Sequence, residues 1–158
     1  MNEVIQVLMY LFTNHMAKDC QIELGDKLIT QELFDRGFRI NAINKAYDWL
    51  KGLFELQKIS ANSQSNRSLV VRIYSEWETV RIDKECRGQL LLLEQMGILN
   101  DLTREMVVDR LMALDVEIIS LAEVKWVTLM ILFNQRNKEV ALACMEKFVL
   151  QDSIGLLH

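Results

Sequence analysis

A chain of 158 residues, 51% hydrophobic and 25% charged with a net charge of −4, is apolar enough to bury a core and too apolar for a disordered chain. Proline is absent, which helices tolerate and loop-rich β folds seldom do, so the composition favours a mostly α protein. Cys20, Cys86 and Cys144 are 66 and 58 positions apart and His15 and His158 stand near opposite ends, which excludes clustered zinc ligands and a disulfide framework.

The opening "MNEVIQVLMYLFTNHM" has the hydrophobicity of a signal peptide, but Glu3 replaces the basic start and no small-residue cleavage site follows. It is also too short to span a bilayer. Val4, Ile5, Val7, Leu8, Leu11 and Phe12 recur at helical spacing, so a core helix over about 3–15 is expected. A second helix is expected from about Leu28 to Arg36, with Leu28, Ile29, Leu33 and Phe34 facing inward. Gly37 supplies a helix C-terminus and Asn41 an N-cap for a third helix over 40–57. There Ile43, Ala46, Tyr47, Leu50, Leu53 and Phe54 form an apolar stripe, leaving Asn44, Lys45, Asp48, Lys51 and Glu55 outside.

"SANSQSNRS" (60–68) reads as a polar loop, and the β-branched "LVVRIYS" after it is the best strand candidate. Lys58 and Ile59 would begin its hairpin partner, so helix-turn-helix plus a short β-hairpin over 58–75 spells a winged helix with Arg67 near the wing tip. The second half is helical in pattern. Ser75 with Glu78 and Ser120 with Glu123 have the spacing of capping boxes, and "QLLLLEQ" and "KWVTLMILF" are apolar on most sides, so they are expected largely buried. The expected organisation is a winged-helix-like lobe over 1–75 and a helical bundle lobe over 76–158, or one compact unit made of both.

Charge is uneven along this frame. Residues 36–75 carry seven bases (Arg36, Arg39, Lys45, Lys51, Lys58, Arg67, Arg72) against Asp48 and Glu55, a balance of +5 inside an acidic chain. Screening confines each field to roughly 10 Å, so such a segment can govern a local contact with a polyanion. Asn44 and Lys45 lie near the start of the third helix, where recognition helices place base-reading side chains. Arg36, Arg39, Lys51, Arg67 and Arg72 would then hold phosphates. The plainer alternative is a solvated helix face.

The segments "VLMYLF", "RIYSEWE", "CRGQLLLLEQMGILN", "TREMVVDRLMALD", "KWVTLMILFN" and "GLLH" together resemble the Smg family of bacterial proteins, also called DUF494, nearly end to end. That resemblance implies no particular activity, cofactor or binding residue. Members often lie beside a DNA-processing gene, which is an associational pointer. A weaker, local resemblance joins "VVRIYSEWETVRID" to the wing-to-helix junction of MerR-type regulators, with Arg72, Tyr74 and Ser75 fitting, though the Arg-Tyr-Tyr signature of those regulators is absent.

No carboxylate pair, Ser/His/Asp set, Cys/His set or phosphate-binding glycine loop emerges, so neither an enzyme nor a cofactor is expected. The expected function is a non-enzymatic, cytoplasmic, nucleic-acid-associated protein, with DNA met by the helix over 40–57 and the wing. The alternative is a helical protein–protein adaptor using apolar residues of the second half such as Met96, Met106, Trp126 and Phe133. No membrane contact is expected, and the sequence leaves the oligomeric state open.

Overall fold

A computed structural model describes residues 2–16, 23–61 and 72–133, together with positions 139 and 143. Its elements are α1 (Glu3–Leu11), α2 (Lys27–Asp35), α3 (Ile40–Ala61), α4 (Glu76–Arg81), α5 (Lys84–Gln95), α6 (Asp101–Met112) and α7 (Leu121–Phe133). Helix α1 runs on into one π-helical turn over Phe12–Met16. The fold is mostly helical. Among the described residues the β structure amounts to one parallel bridge between Ile82 and Ile119.

The expected hairpin is not found among the described residues. Lys58 and Ile59 lie in the last turns of α3, and 72–75 is extended without a strand partner among the described residues. A helix already nucleated gains a hydrogen bond for each residue it adds, and nothing before Ala61 interrupts it. The rest of the expected wing, including Arg67, lies outside the described residues, as do "KEVALACMEKFVLQ" (except for the backbone at 139 and 143) and the C-terminal "GLLH".

Capping explains several boundaries. Asn2 caps α1 by accepting from the Val4 N–H. Ser75 and Glu78 form the reciprocal box expected at α4, and Ser120 and Glu123 the one expected at α7. Helix α2 ends in a Schellman turn: the Phe38 N–H donates to the Leu33 carbonyl at 3.2 Å, across Gly37 at φ +94°. Helix α3 starts one residue before the expected cap at Asn41. Its entry is fixed from α1, because the Glu3 carboxylate accepts the Arg39 N–H at 2.8 Å.

One core runs from α1 to α7. Val7, Leu8 and Leu11 of α1 meet Ile43, Leu50 and Leu53 of α3, and α6 and α7 close it with Val107, Leu111, Val124 and Ile131. Helix α7 is buried on nearly every side, as expected, and Phe12 makes edge-on contacts with Trp126 (6.0 Å) and Phe133 (5.2 Å). Helix α3 locks to α6 by a reciprocal pair. Trp49 Nε1 donates to the Arg110 carbonyl at 2.8 Å, and Arg110 Nη1 donates to the Trp49 carbonyl at 3.0 Å. The guanidinium lies across Gly52, where an added Cβ would stand 2.3 Å from Arg110 Nη1, so any larger residue there requires the guanidinium to shift.

Two burial expectations fail. In α2 Leu33 is buried and Ile29 half-buried, but Leu28 and Phe34 are exposed. Each lies roughly 100° to one side of the Ile29–Leu33 stripe, too far round to share its contact with α3. In α5 Leu90 and Leu93 are buried while Leu91 and Leu92 face outward, because only one side of this helix meets α6 and α7.

Candidate nucleic-acid interface

The α2–turn–α3 unit is built by the Schellman turn at Gly37 and by the apolar stripe Ile43–Ala46–Leu50–Leu53. Burial of that stripe forces Asn44, Lys45, Asp48, Lys51 and Glu55 to the outside, and all five are exposed. Arg36, beside the turn, is also exposed, with its guanidinium 4.8 Å over the Tyr10 ring. Arg39 has 86% of its side chain exposed and stands 3.8 Å from Glu3. Arg36, Arg39, Asn44, Lys45 and Lys51 are thus all exposed on this unit, with Asp48 and Glu55 exposed among them on α3.

Their charge is only partly free. Lys45 Nζ lies 3.0 Å from Asp115 of the α6–α7 connection, with both side chains well exposed. A pair of that kind contributes about 0–1 kcal/mol, so a phosphate can displace it. Beneath Lys45 a cavity of about 290 Å³ opens between α1, α3 and the end of α6, lined by Val4, Asp48, Trp49, Arg110 and Asp115 among others.

Arg72 stands apart from this set. Its side chain is 17% exposed, and it donates twice to Glu78 at 2.8 Å and once to Glu105 at 2.5 Å. The guanidinium holds the Glu78 carboxyl down at about 2, with the Ser75 N–H adding to the effect. The same carboxylates raise the Arg72 pKa. Arg72 thus ties the extended segment to α4 and α6 and is not presented to a ligand as an open cation. Arg67 lies outside the described residues.

Two further clusters escaped the sequence reading. Near the turn, the Tyr10 hydroxyl donates to Glu32, which also lies 3.1 Å from His15 Nε2. The Tyr10 hydrogen bond lowers the Glu32 pKa and raises that of Tyr10. Farther away, Lys84 and Arg87 of α5 converge with Tyr74 on a second cavity. Their i, i+3 spacing was visible in the sequence, but the approach of Tyr74 was not. Among the described residues no group of three or more His, Cys, Asp or Glu side chains could hold a metal.

The family described as "Protein of unknown function (DUF494)" matches residues 4–158. The chain belongs to this family. It is 43% identical to a Protein Smg homolog of Alkalilimnicola ehrlichii, over 98% of each chain. It is 44% identical to one of Methylococcus capsulatus and 41% identical to one of Coxiella burnetii, over 98% of this chain and 97% of theirs. No solved structure matches it. Family members share the chain nearly end to end, so the resemblance seen in the six quoted segments extends through the whole fold. Among the described residues no helix is long and apolar enough to cross a membrane.

Proposed function

We propose that this protein is a non-enzymatic, cytoplasmic nucleic-acid-associated protein that sets the turn and outer ridge of α3 against duplex DNA. The observation that carries this reading is that Arg36, Arg39, Lys45 and Lys51 are all exposed along one helix–turn–helix unit of an acidic chain. Arg36, Arg39 and Lys51 would bind phosphates, which fixes position without reading sequence. Lys45 would exchange Asp115 for phosphate, and Asn44, one residue away, has the amide geometry to pair with an adenine edge. The free, buried thiol of Cys86 fits a reducing compartment.

Salt dependence tests the reading. For duplex DNA the log–log slope is near −0.9 per neutralised phosphate, so with four such contacts the wild type should bind at low salt with a slope of about −3.6. Lys45→Ala and Lys51→Ala should each make it shallower by about one. No binding at low salt, or unchanged slopes in both variants, would remove this face.

A protein–protein adaptor is the second reading, favoured by one observation. Ile73, Trp77 and Val80 are 91%, 69% and 72% exposed, and Trp77 and Val80 share a face of α4. That reading expects no DNA affinity, and partner retention that survives nuclease and is lost in Trp77→Ser.

A further inference from the structure

The second cavity, about 170 Å³, lies on the first two turns of α5 where the extended segment and α6 approach it. That space equals about six water molecules at roughly 30 Å³ each. Lys84, Arg87, Gly88 and Leu91 line it from α5 at i, i+3, i+4 and i+7, a single face of the helix. Tyr74 lines the opposite side, flanked by the Arg72 and Arg87 guanidiniums at 4.7 and 5.9 Å from its ring centroid.

The cations around it divide in two. Arg72 and Arg104 are held by four carboxylates, Glu78, Glu105, Glu94 and Asp101, and form a fixed wall. Arg104 is itself buried, and its Nε has no hydrogen-bond partner. Lys84 and Arg87 form no ion pair within 4 Å among the described residues. Arg87 makes a long 3.3 Å contact to the Asp83 carbonyl and, after the Cys86 N–H, its charge helps lower the Asp83 pKa; Glu94 also lines the cavity. A guanidinium and an ammonium without a direct ion pair, beside a partly apolar cavity, are a common phosphate-binding pair, and Glu94 on the same wall is held by Arg104. The cavity also stays open over the helix. A Cβ at Gly88 would meet nothing within 4 Å.

We propose that this cavity binds a phosphate group, free or as the monoester end of a small molecule, through Lys84 and Arg87. The site is separate from the α3 ridge and does not depend on DNA binding there. Calorimetric titration at constant ionic strength with inorganic phosphate and with O-phosphoserine tests it. Saturable binding of at least one is expected. Tighter phosphoserine binding assigns a monoester; phosphate alone assigns the free ion. Gly88→Leu, which fills the opening, and Arg87→Gln should each weaken binding at least tenfold, while Lys45→Ala should leave it within twofold. Absence of saturable heat with both probes, or binding that persists in either α5 variant, overturns the proposal. Thermal melting checks that Gly88→Leu folds; if it does not, Arg87→Gln alone decides. Loss in Lys45→Ala would also overturn it, by moving the site to the α3 ridge.

Discussion

Glu78 accepts two hydrogen bonds from Arg72 and one from the Ser75 N–H, and its carboxyl is held at about 2 against an ordinary 4.5. A carboxyl with a depressed folded-state pKa stabilises the fold above its unfolded value, and that contribution is lost as pH falls toward the folded value. Between pH 7 and pH 3 the loss is about 2 kcal/mol for a shift of this size. Denaturant midpoints should therefore fall more steeply with acid in the wild type than in Glu78→Gln; equal slopes would mean that the pair does not persist in solution. The capping half of this arrangement was legible in sequence, because Ser75 and Glu78 are three residues apart. The rest was not, because Glu105 reaches Arg72 from 33 positions away. The expectation of Arg72 as a phosphate contact did not foresee these two carboxylate partners. Cys86 was legible as a structural cysteine: burial, first, pushes its thiol up to about 12, so it stays protonated and unreactive at neutral pH. Mass mapping after alkylation should find it unmodified in native protein and modified in urea; native labelling would contradict that.

Helix α3 was the element best read from sequence, because its apolar stripe spans three turns and its outer face follows from the same periodicity. Its end was misread, since β-branched Ile59 and the polar run after it look like a strand start in isolation. Its glycine was also opaque. Gly52 matters only because α6 carries Arg110 over it, a contact 58 positions away. Gly52→Ala would usually gain helix propensity, yet here it should cost about 1–3 kcal/mol by displacing the guanidinium from the Trp49 carbonyl. Chemical denaturation measures this, and a neutral or stabilising effect would show that Arg110 moves aside freely. Helix α2 carries the opposite lesson. Nine residues at two turns and a half give too short a window for periodicity to separate Ile29 and Leu33 from Leu28 and Phe34.

At the scale of the molecule, composition gave the helical class and the charge distribution gave the candidate face, since both are sums over local residues. The packing that carries the face was beyond that reach: Glu3 of α1 sets the entry to α3, and Asp115, after α6, sits against Lys45. Arg36, Arg39, Lys45 and Lys51 are all exposed, with Asp48 and Glu55 exposed on the same helix and Glu3 and Asp115 beside Arg39 and Lys45. The central claim is that this surface meets nucleic acid. Lysine-reactivity footprinting with and without duplex DNA at low salt tests it most directly, because exposed lysines stand both on the α3 ridge and at Lys84. Lys45 and Lys51 should lose reactivity when DNA is added while Lys84 keeps it. Unchanged reactivity at Lys45 and Lys51, or protection confined to Lys84, would contradict it.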